Sequence, residues 1–240
     1  MKKIGIIVAM PAEAKCFQLA EIPNQKLLKI EKNIYLYISG IGYDSSAAAA
    51  KILIKKGVDG LISWGIAGGI NNSVQTGDII IPETIQNNKE IYYTTSKWRR
   101  NIMSHFHTTP YTVLSGKIIC IEEILGSSAE KIELYNKTGA QAVDMESAAI
   151  AKIANEKKIE FISMRVILDD LNLNLPTLLT ENIDGFGKIN IRKFIKSYKY
   201  SSFTFSEISS LVKKYVKAQR MLKEIYKEFK KESFFFINNF

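Results

Sequence analysis

Residues 4–19 read Ile4-Gly5-Ile6-Ile7-Val8-Ala9-Met10-Pro11-Ala12-Glu13-Ala14-Lys15-Cys16-Phe17-Gln18-Leu19. The first six form a continuous apolar run with β-branched residues. That is the pattern of a strand buried on both faces, not of one that alternates between core and water. Pro11 then suits the first turn of a helix, and residues 11–19 are expected to be helical. A doubly buried strand feeding a helix implies a sheet covered by helices, and the chain repeats the alternation further on. Residues 34–39, 60–64, 78–81, 117–121, 141–144 and 159–168 read as extended. Residues 46–56, 128–137 and 146–155 read as helices. Asp44 or Ser45 caps the first of these, Ser127 or Ser128 the second, and Gly139 ends the second. The expected fold class is α/β, a three-layer sandwich around a central mixed sheet. Residues 172–187 read as a loop. The expected organisation is a catalytic domain over residues 1–206 and a basic amphipathic helix with an aromatic tail over residues 207–240.

The bulk properties agree with one domain that has a full-sized core. The chain has 240 residues, 46% apolar and 24% charged, with a net charge of +9. Two isolated cysteines, Cys16 and Cys120, do not make a disulfide framework, and a reducing cytoplasm is the expected setting. The apolar run near Met1 stops at Pro11 and lacks a cleavage pattern, so it is not expected to be a signal peptide. No apolar stretch reaches the ~18 residues of a membrane helix, so any membrane contact is expected from the surface.

Ligands in open α/β sheets bind beyond the carboxyl ends of strands. Three features fall there: Gly40-Ile41-Gly42, the run Gly65-Ile66-Ala67-Gly68-Gly69, and Asp169. Glycines at a strand end let backbone N–H groups approach a ligand, although they also suit a plain tight turn. Glu13 lies in the first helix, Glu146 opens a later one, and Asp169 closes an apolar strand, where burial would keep it protonated. Singly, each carboxylate reads equally as a helix-end or turn residue. Their joint order with both glycine runs is what points to a site.

That order resembles the nucleoside phosphorylase and nucleosidase superfamily over residues 3–172. Residues 4–13 are similar to the opening of the methylthioadenosine/S-adenosylhomocysteine nucleosidases. Ser39-Gly40-Ile41-Gly42, Gly65 to Gly69, Thr76-Gly77-Asp78-Ile79, Val143-Asp144-Met145-Glu146 and Arg165-Val166-Ile167-Leu168-Asp169 resemble later family blocks. Met10-Pro11-Ala12-Glu13-Ala14, Ser63 to Gly69 and Thr138 to Ser147 are nearer to the hopanoid-associated phosphorylase-like proteins, implicated in removing adenine from adenosylhopane. So are Leu175-Pro176 and Asp184-Gly185.

The resemblance implies an N-glycosidase that releases adenine from a 5′-substituted adenosine and needs no cofactor or metal. It implies that Asp169 donates to the purine N7 and Glu13 activates water. Glu146 would accept from the ribose hydroxyls, with Met145 packed beneath the sugar. Ile66, Ala67, Gly68 and Met10 would line the pocket, and Ile124 and Leu125 would hold adenine. Self-association into a homodimer is expected. Two positions depart from the family: Ile66 replaces a hydroxyl residue that contacts the nucleophile, and Leu168 replaces the serine before the acid. Ser63 stands where six-subunit phosphorylases carry an arginine for phosphate. With Glu13 repelling a dianion, hydrolysis is favoured over phosphorolysis. A soluble methylthioadenosine or S-adenosylhomocysteine nucleosidase, a phosphorylase, and a silent nucleoside-binding protein are the rival readings.

His105 and His107 have no ligand set around them, and a surface helix or loop is expected there. Trp64 is either core or ligand contact. In residues 208–229 Ile208, Leu211, Val212, Tyr215, Leu222, Ile225, Tyr226 and Phe229 recur at helical spacing. Lys213, Lys214, Lys217, Arg220, Lys223, Lys227, Lys230 and Lys231 make the other face basic, and Phe234-Phe235-Phe236 follows. Such a helix either packs on the domain or lies on an anionic membrane. Nucleic acid is not an expected partner, because no stacking platform accompanies the basic residues.

Overall fold

Strand β1 (Ile4–Val8) is buried along its whole length. It pairs in parallel with β3 (Ile34–Ile38) on one side and β4 (Gly60–Gly69) on the other. The computed structural model describes residues 2–171, 173, 184–188 and 204–232. Within these, the sheet runs from β2 (Leu27–Glu31) through β3, β1 and β4 to β10 (Ala142–Asp144) and β9 (Lys117–Cys120). It ends in β6 (Thr84–Gln86) and β7 (Ile91–Tyr93). A branch carries β11 (Glu160–Asp169) beside β4, then β5 (Ile79–Ile80) and β8 (Val113–Leu114). Parallel and antiparallel pairs mix, as β4 with β11 and β4 with β10 show.

Helices α2 (Tyr43–Lys55) and α5 (Ser147–Lys157) cover one face, where Ala49, Ala50 and Leu53 meet Ala148 and Ala151. Alanine at these contacts lets helix and sheet approach closely. The other face carries α3 (Ser96–Phe106) and the C-terminal helix α6 (Phe205–Glu232). Helix α4 (Ser128–Thr138) flanks the sheet end, capped by Ser127 with Glu130 and stopped by Gly139. The chain is thus a three-layer α/β sandwich around a mixed sheet, the expected fold class.

Local differences have local causes. The first helix is short: α1 (Pro11–Ala14) tightens into a 3₁₀ turn over Lys15–Phe17, which ends with Gln18 at φ 56°. The turn tucks Phe17 against Trp64 and Tyr226. Helix α2 starts ahead of the expected residue 46, because Gly42 turns the chain at φ 102°. Asp44 therefore sits in the first turn, where the helix dipole favours it, and neither it nor Ser45 is the cap. Edge strand β2 was not expected. The run Gly65 to Gly69 is not a turn but the second half of β4. It stays extended because β11 pairs beside it as far as Gly68 and β10 pairs with Gly68 and Gly69.

Helix α6 shares the core. Ala218, Leu222, Ile225 and Phe229 are fully buried, and Trp64 lies edge-on to Phe229 with ring centroids 5.6 Å apart. Truncating such an aromatic costs about 3–5 kcal/mol. The helix therefore belongs to the body that the division at residue 206 would separate it from. Of its basic residues, Lys213, Lys217, Lys223 and Lys227 stay exposed. Leu175-Pro176, most of the expected loop and the Phe234-Phe235-Phe236 run lie outside the described residues.

Candidate active site

A cavity of about 900 Å³ opens beyond the carboxyl ends of β1, β4, β10 and β11. Met10, Glu13, Ile66, Ala67, Gly68, Ile124, Leu125, Met145, Glu146 and Asp169 all line it. The sequence therefore names residues that the fold brings together from five separate stretches. Trp64 is not among them; it is fully buried in the core between Phe17 and Phe229. His105 lies on α3 with its Nε2 3.2 Å from Glu228 of α6. Among the described residues, no cluster of His, Cys, Asp and Glu could hold a metal ion.

Glu13 reaches the cavity from α1 and is 1% exposed. The N–H groups of Ala9 and Met10 donate to its Oε2, each at 3.0 Å, and the N–H of Ile66 donates to Oε1 at 2.9 Å. Isoleucine at position 66 thus contributes through its backbone, which needs no hydroxyl. Gly65 makes the approach possible: a Cβ there would stand 2.3 Å from Glu13 Oε1 and 2.6 Å from Arg165 Nη1. Burial raises the Glu13 pKa, and the Arg165 charge and the three N–H donors only partly oppose it.

Glu146 is the residue before α5, and its Oε1 accepts from the Gly42 N–H at 3.0 Å. Burial pushes its pKa up to about 7; Arg165 opposes the shift and Asp144 adds to it. Arg165, at the middle of β11, is 1% exposed. Its Nη2 lies 2.8 Å from Asp144 and 3.7 Å from Glu146, and it donates to Ser63 Oγ at 2.7 Å and to Ser147 Oγ at 3.2 Å. Burial works against the guanidinium charge, but Asp144, Glu146 and Glu13 outweigh it and raise the Arg165 pKa. Ser63, where an arginine would mark a phosphate site, is here an acceptor for Arg165.

Asp169 is the last residue of β11 and is 3% exposed. The register against β4 shifts beside Leu168, so that Asp169 comes opposite Gly68. Leu168 cannot orient the acid as a serine would, yet Thr76 Oγ1 donates to its carbonyl at 3.1 Å and holds the backbone. The charged partner comes from α4: Lys131, 1% exposed, pairs with Asp169 Oδ2. Burial raises the Asp169 pKa, and Lys131 opposes the rise. Next to it, Asp170 pairs with Lys214 of α6.

Sequence reasoning assigned no role to Lys131, Arg165 or Asp144. Arg165 did leave a signal, since a charge inside a strand buried on both faces demands a buried counter-charge. Lys131 left none, because lysine on a helix ordinarily faces water. Also unforeseen, Ile208, Leu211, Val212 and Tyr215 of α6 close one side of the cavity, so its walls are mostly apolar.

Comparison with known proteins fits this arrangement. The phosphorylase superfamily profile matches residues 3–197, and the chain belongs to that superfamily. A 5′-methylthioadenosine/S-adenosylhomocysteine nucleosidase of Buchnera aphidicola subsp. Acyrthosiphon pisum is 29% identical over 230 residues, covering 81% of this chain and 96% of its own. The nucleosidase of the same name from Tolumonas auensis is 24% identical over 217 residues, covering 78% and 94%. Among solved structures, the Helicobacter pylori 5′-methylthioadenosine/S-adenosylhomocysteine nucleosidase with butyl-thio-DADMe-Immucillin-A superposes with a TM-score of 0.67 at 17% identity, covering 95% and 99%. The futalosine hydrolase of Helicobacter pylori gives 0.65 at 17% identity, covering 95% and 98%. At these identities the structures attest the shared fold.

Proposed function

We propose that this member of the phosphorylase superfamily hydrolyses the N-glycosidic bond of a 5′-substituted adenosine and releases adenine. The observation that carries the reading is the pairing of two chemically different ends in one cavity. Asp169, buried and with a raised pKa, suits proton donation to a departing base. Glu13 and Glu146, with Asp144 behind them, surround the other end with negative charge. That charge suits the cation-like sugar of the transition state, which forms as the bond to the base breaks. Glu13, fixed by three N–H groups, is then the base for water, and Glu146 accepts from the ribose hydroxyls. Met145 packs beneath the sugar, and Ile124 and Leu125 face the adenine. A phosphate dianion would meet carboxylates here, and Arg165 is already engaged with Asp144 and Ser63. The names of the nucleosidase relatives point the same way.

For the 5′ group we favour a long apolar chain, as in adenosylhopane. The support is the apolar wall that α6 adds through Ile208, Leu211 and Val212. Val212 and Val216 stand 54% and 50% exposed beside lysines of α6, which suits a protein that works at the surface of an anionic membrane. Methylthioadenosine and S-adenosylhomocysteine are the rival substrates, favoured by the relatives' names. Self-association would cover the exposed Ile132 and Tyr135 of α4, and light scattering tests it.

The deciding experiment measures adenine release from adenosines with apolar and polar 5′ groups, with and without phosphate. Phosphate-independent release that improves with apolar 5′ length supports the reading. Strict phosphate dependence with ribose 1-phosphate as product overturns hydrolysis, and preference for methylthioadenosine overturns the lipid substrate. Co-sedimentation with anionic liposomes at low salt, reversed at high salt, tests the membrane contact.

A further inference from the structure

We propose that Lys131 is a positioning residue for Asp169: its ammonium orients the acid at the base end of the cavity and stabilises the carboxylate left after proton transfer. The inference rests on the adenine-releasing reading of the cavity. A lysine 1% exposed survives burial only if its charge is paired and its three N–H groups are satisfied. Both conditions hold. Its Nζ pairs with Asp169 Oδ2 and donates to the carbonyls of Asp170 at 2.9 Å and Leu173 at 3.1 Å. The first acceptor belongs to the last residue of β11 and the other two to the segment that follows it, so one cation ties the acid to the chain leaving it.

The contact also sets which oxygen acts. Lys131 occupies Oδ2, while Oδ1 lies closer to Gly68, where an added Cβ would be 3.3 Å from Oδ1 and 3.7 Å from Oδ2. Gly68 lines the cavity, and in the proposed role Oδ1, the oxygen not paired with Lys131, is the one that meets the substrate. As the bond from the sugar to the base breaks, its electron pair goes to the purine. The proton on the Asp169 carboxyl moves to the purine N7, leaving a carboxylate and a neutral base. Lys131 remains an ammonium throughout and faces that carboxylate. Glu13 takes a proton from the water that adds to the sugar and then loses it to solvent, while solvent returns one proton to Asp169, so both groups are restored for the next turnover. The charged groups around Asp169 are Lys131 from α4, Asp170 beside it and Lys214 from α6, whose charge is already paired with Asp170. Lys131 is therefore the cation that answers the carboxylate directly.

The test is Lys131→Met, read as a pH profile on two leaving groups. Adenine needs a proton to depart, whereas 4-nitrophenolate leaves a riboside without one. Loss of the cation should cut kcat for adenine release by about 10–10²-fold, within the range of acid catalysis. The alkaline limb, where Asp169 loses its proton, should move to higher pH. The loss on 4-nitrophenyl riboside should be at least about ten times smaller, and Lys131→Arg should recover most of the adenine release. Equal losses on both ribosides with an unmoved alkaline limb would overturn the proposal. If the Met variant does not fold, Lys131→Gln carries the same comparison. Carbon-13 titration of the Asp169 carboxyl gives a readout apart from turnover: an upward shift in the variant supports the role, and an unchanged titration refutes it. Wild-type protein inert on both ribosides would count against the proposed activity, and the carboxyl titration would still decide for or against Lys131.

Discussion

At one end of the cavity Glu13, Asp144 and Glu146 share the guanidinium of Arg165; at the other, Asp169 and Asp170 face Lys131 and Lys214 one to one. The first end carries surplus negative charge; burial lifts the Glu146 pKa to about 7 there, Arg165 opposes the rise, and Asp144 and Glu13 add to it. The second end is balanced, and its acid answers mainly to burial. The same ingredients, buried carboxylates and a buried cation, thus give two different environments because the ratio differs. An unbalanced end suits a sugar that becomes positive. A balanced end suits a base that must leave neutral, since the carboxylate left by proton transfer finds its counter-ion in Lys131.

The hardest test of this contrast is Asp169→Asn. It removes the proton donor and leaves Lys131 without its carboxylate, so adenine release should fall by ~10²–10⁴-fold. Turnover close to wild type would mean that the balanced end does not supply the proton. Glu13→Gln probes the opposite end and should cost about 10²-fold in kcat with little change in KM, because a general base acts in the transition state. A main effect on KM would make Glu13 a binding group and weaken the assignment of water activation.

The two ends also differ in how much of them could be read from the sequence. The unbalanced end lay in motifs: Glu13 after the first strand, Glu146 at a helix start, glycines between. The doubly buried strand Ile4 to Val8 and the β-branched run of β11 already demanded a covered sheet. The balanced end was half legible. Asp169 closes a strand and is visible as such, but Lys131 looks like any solvated helix residue. Only its placement against residues 38 positions further on shows otherwise. The glycine run of β4 misled for a related reason. Gly65 is demanded by the side chains of Glu13 and Arg165, which come from distant positions, and not by the local backbone. Helix α6 was legible as amphipathic; which face packs depends on Trp64 and Phe17, and that is a tertiary matter.

The smallest expected effect is also the most specific to the unbalanced end. Glu146 must be ionised to accept from two ribose hydroxyls, yet its pKa stands at about 7 instead of the ordinary 4.5. Affinity for ribosides should therefore weaken as pH falls through 7, while 2′-deoxyribosides, which offer one hydroxyl fewer, should respond less. Glu146→Gln should flatten this dependence and cost about tenfold on ribosides, since a charge-assisted hydrogen bond is roughly twice as strong as a neutral one. Stability of the empty protein should show the reverse trend. A carboxyl whose folded pKa is raised favours the folded state below its unfolded pKa, and that contribution is lost as pH rises through the folded value. Between about pH 4.5 and 7 the folded wild type binds the extra proton, so its melting temperature should drop across that window relative to Glu146→Gln. Melting curves of the two proteins at pH 5 and pH 8 check this. Curves that differ by the same amount at both values would mean that Arg165 offsets the burial of Glu146 fully, and the contrast between the two ends would then rest on geometry and not on charge.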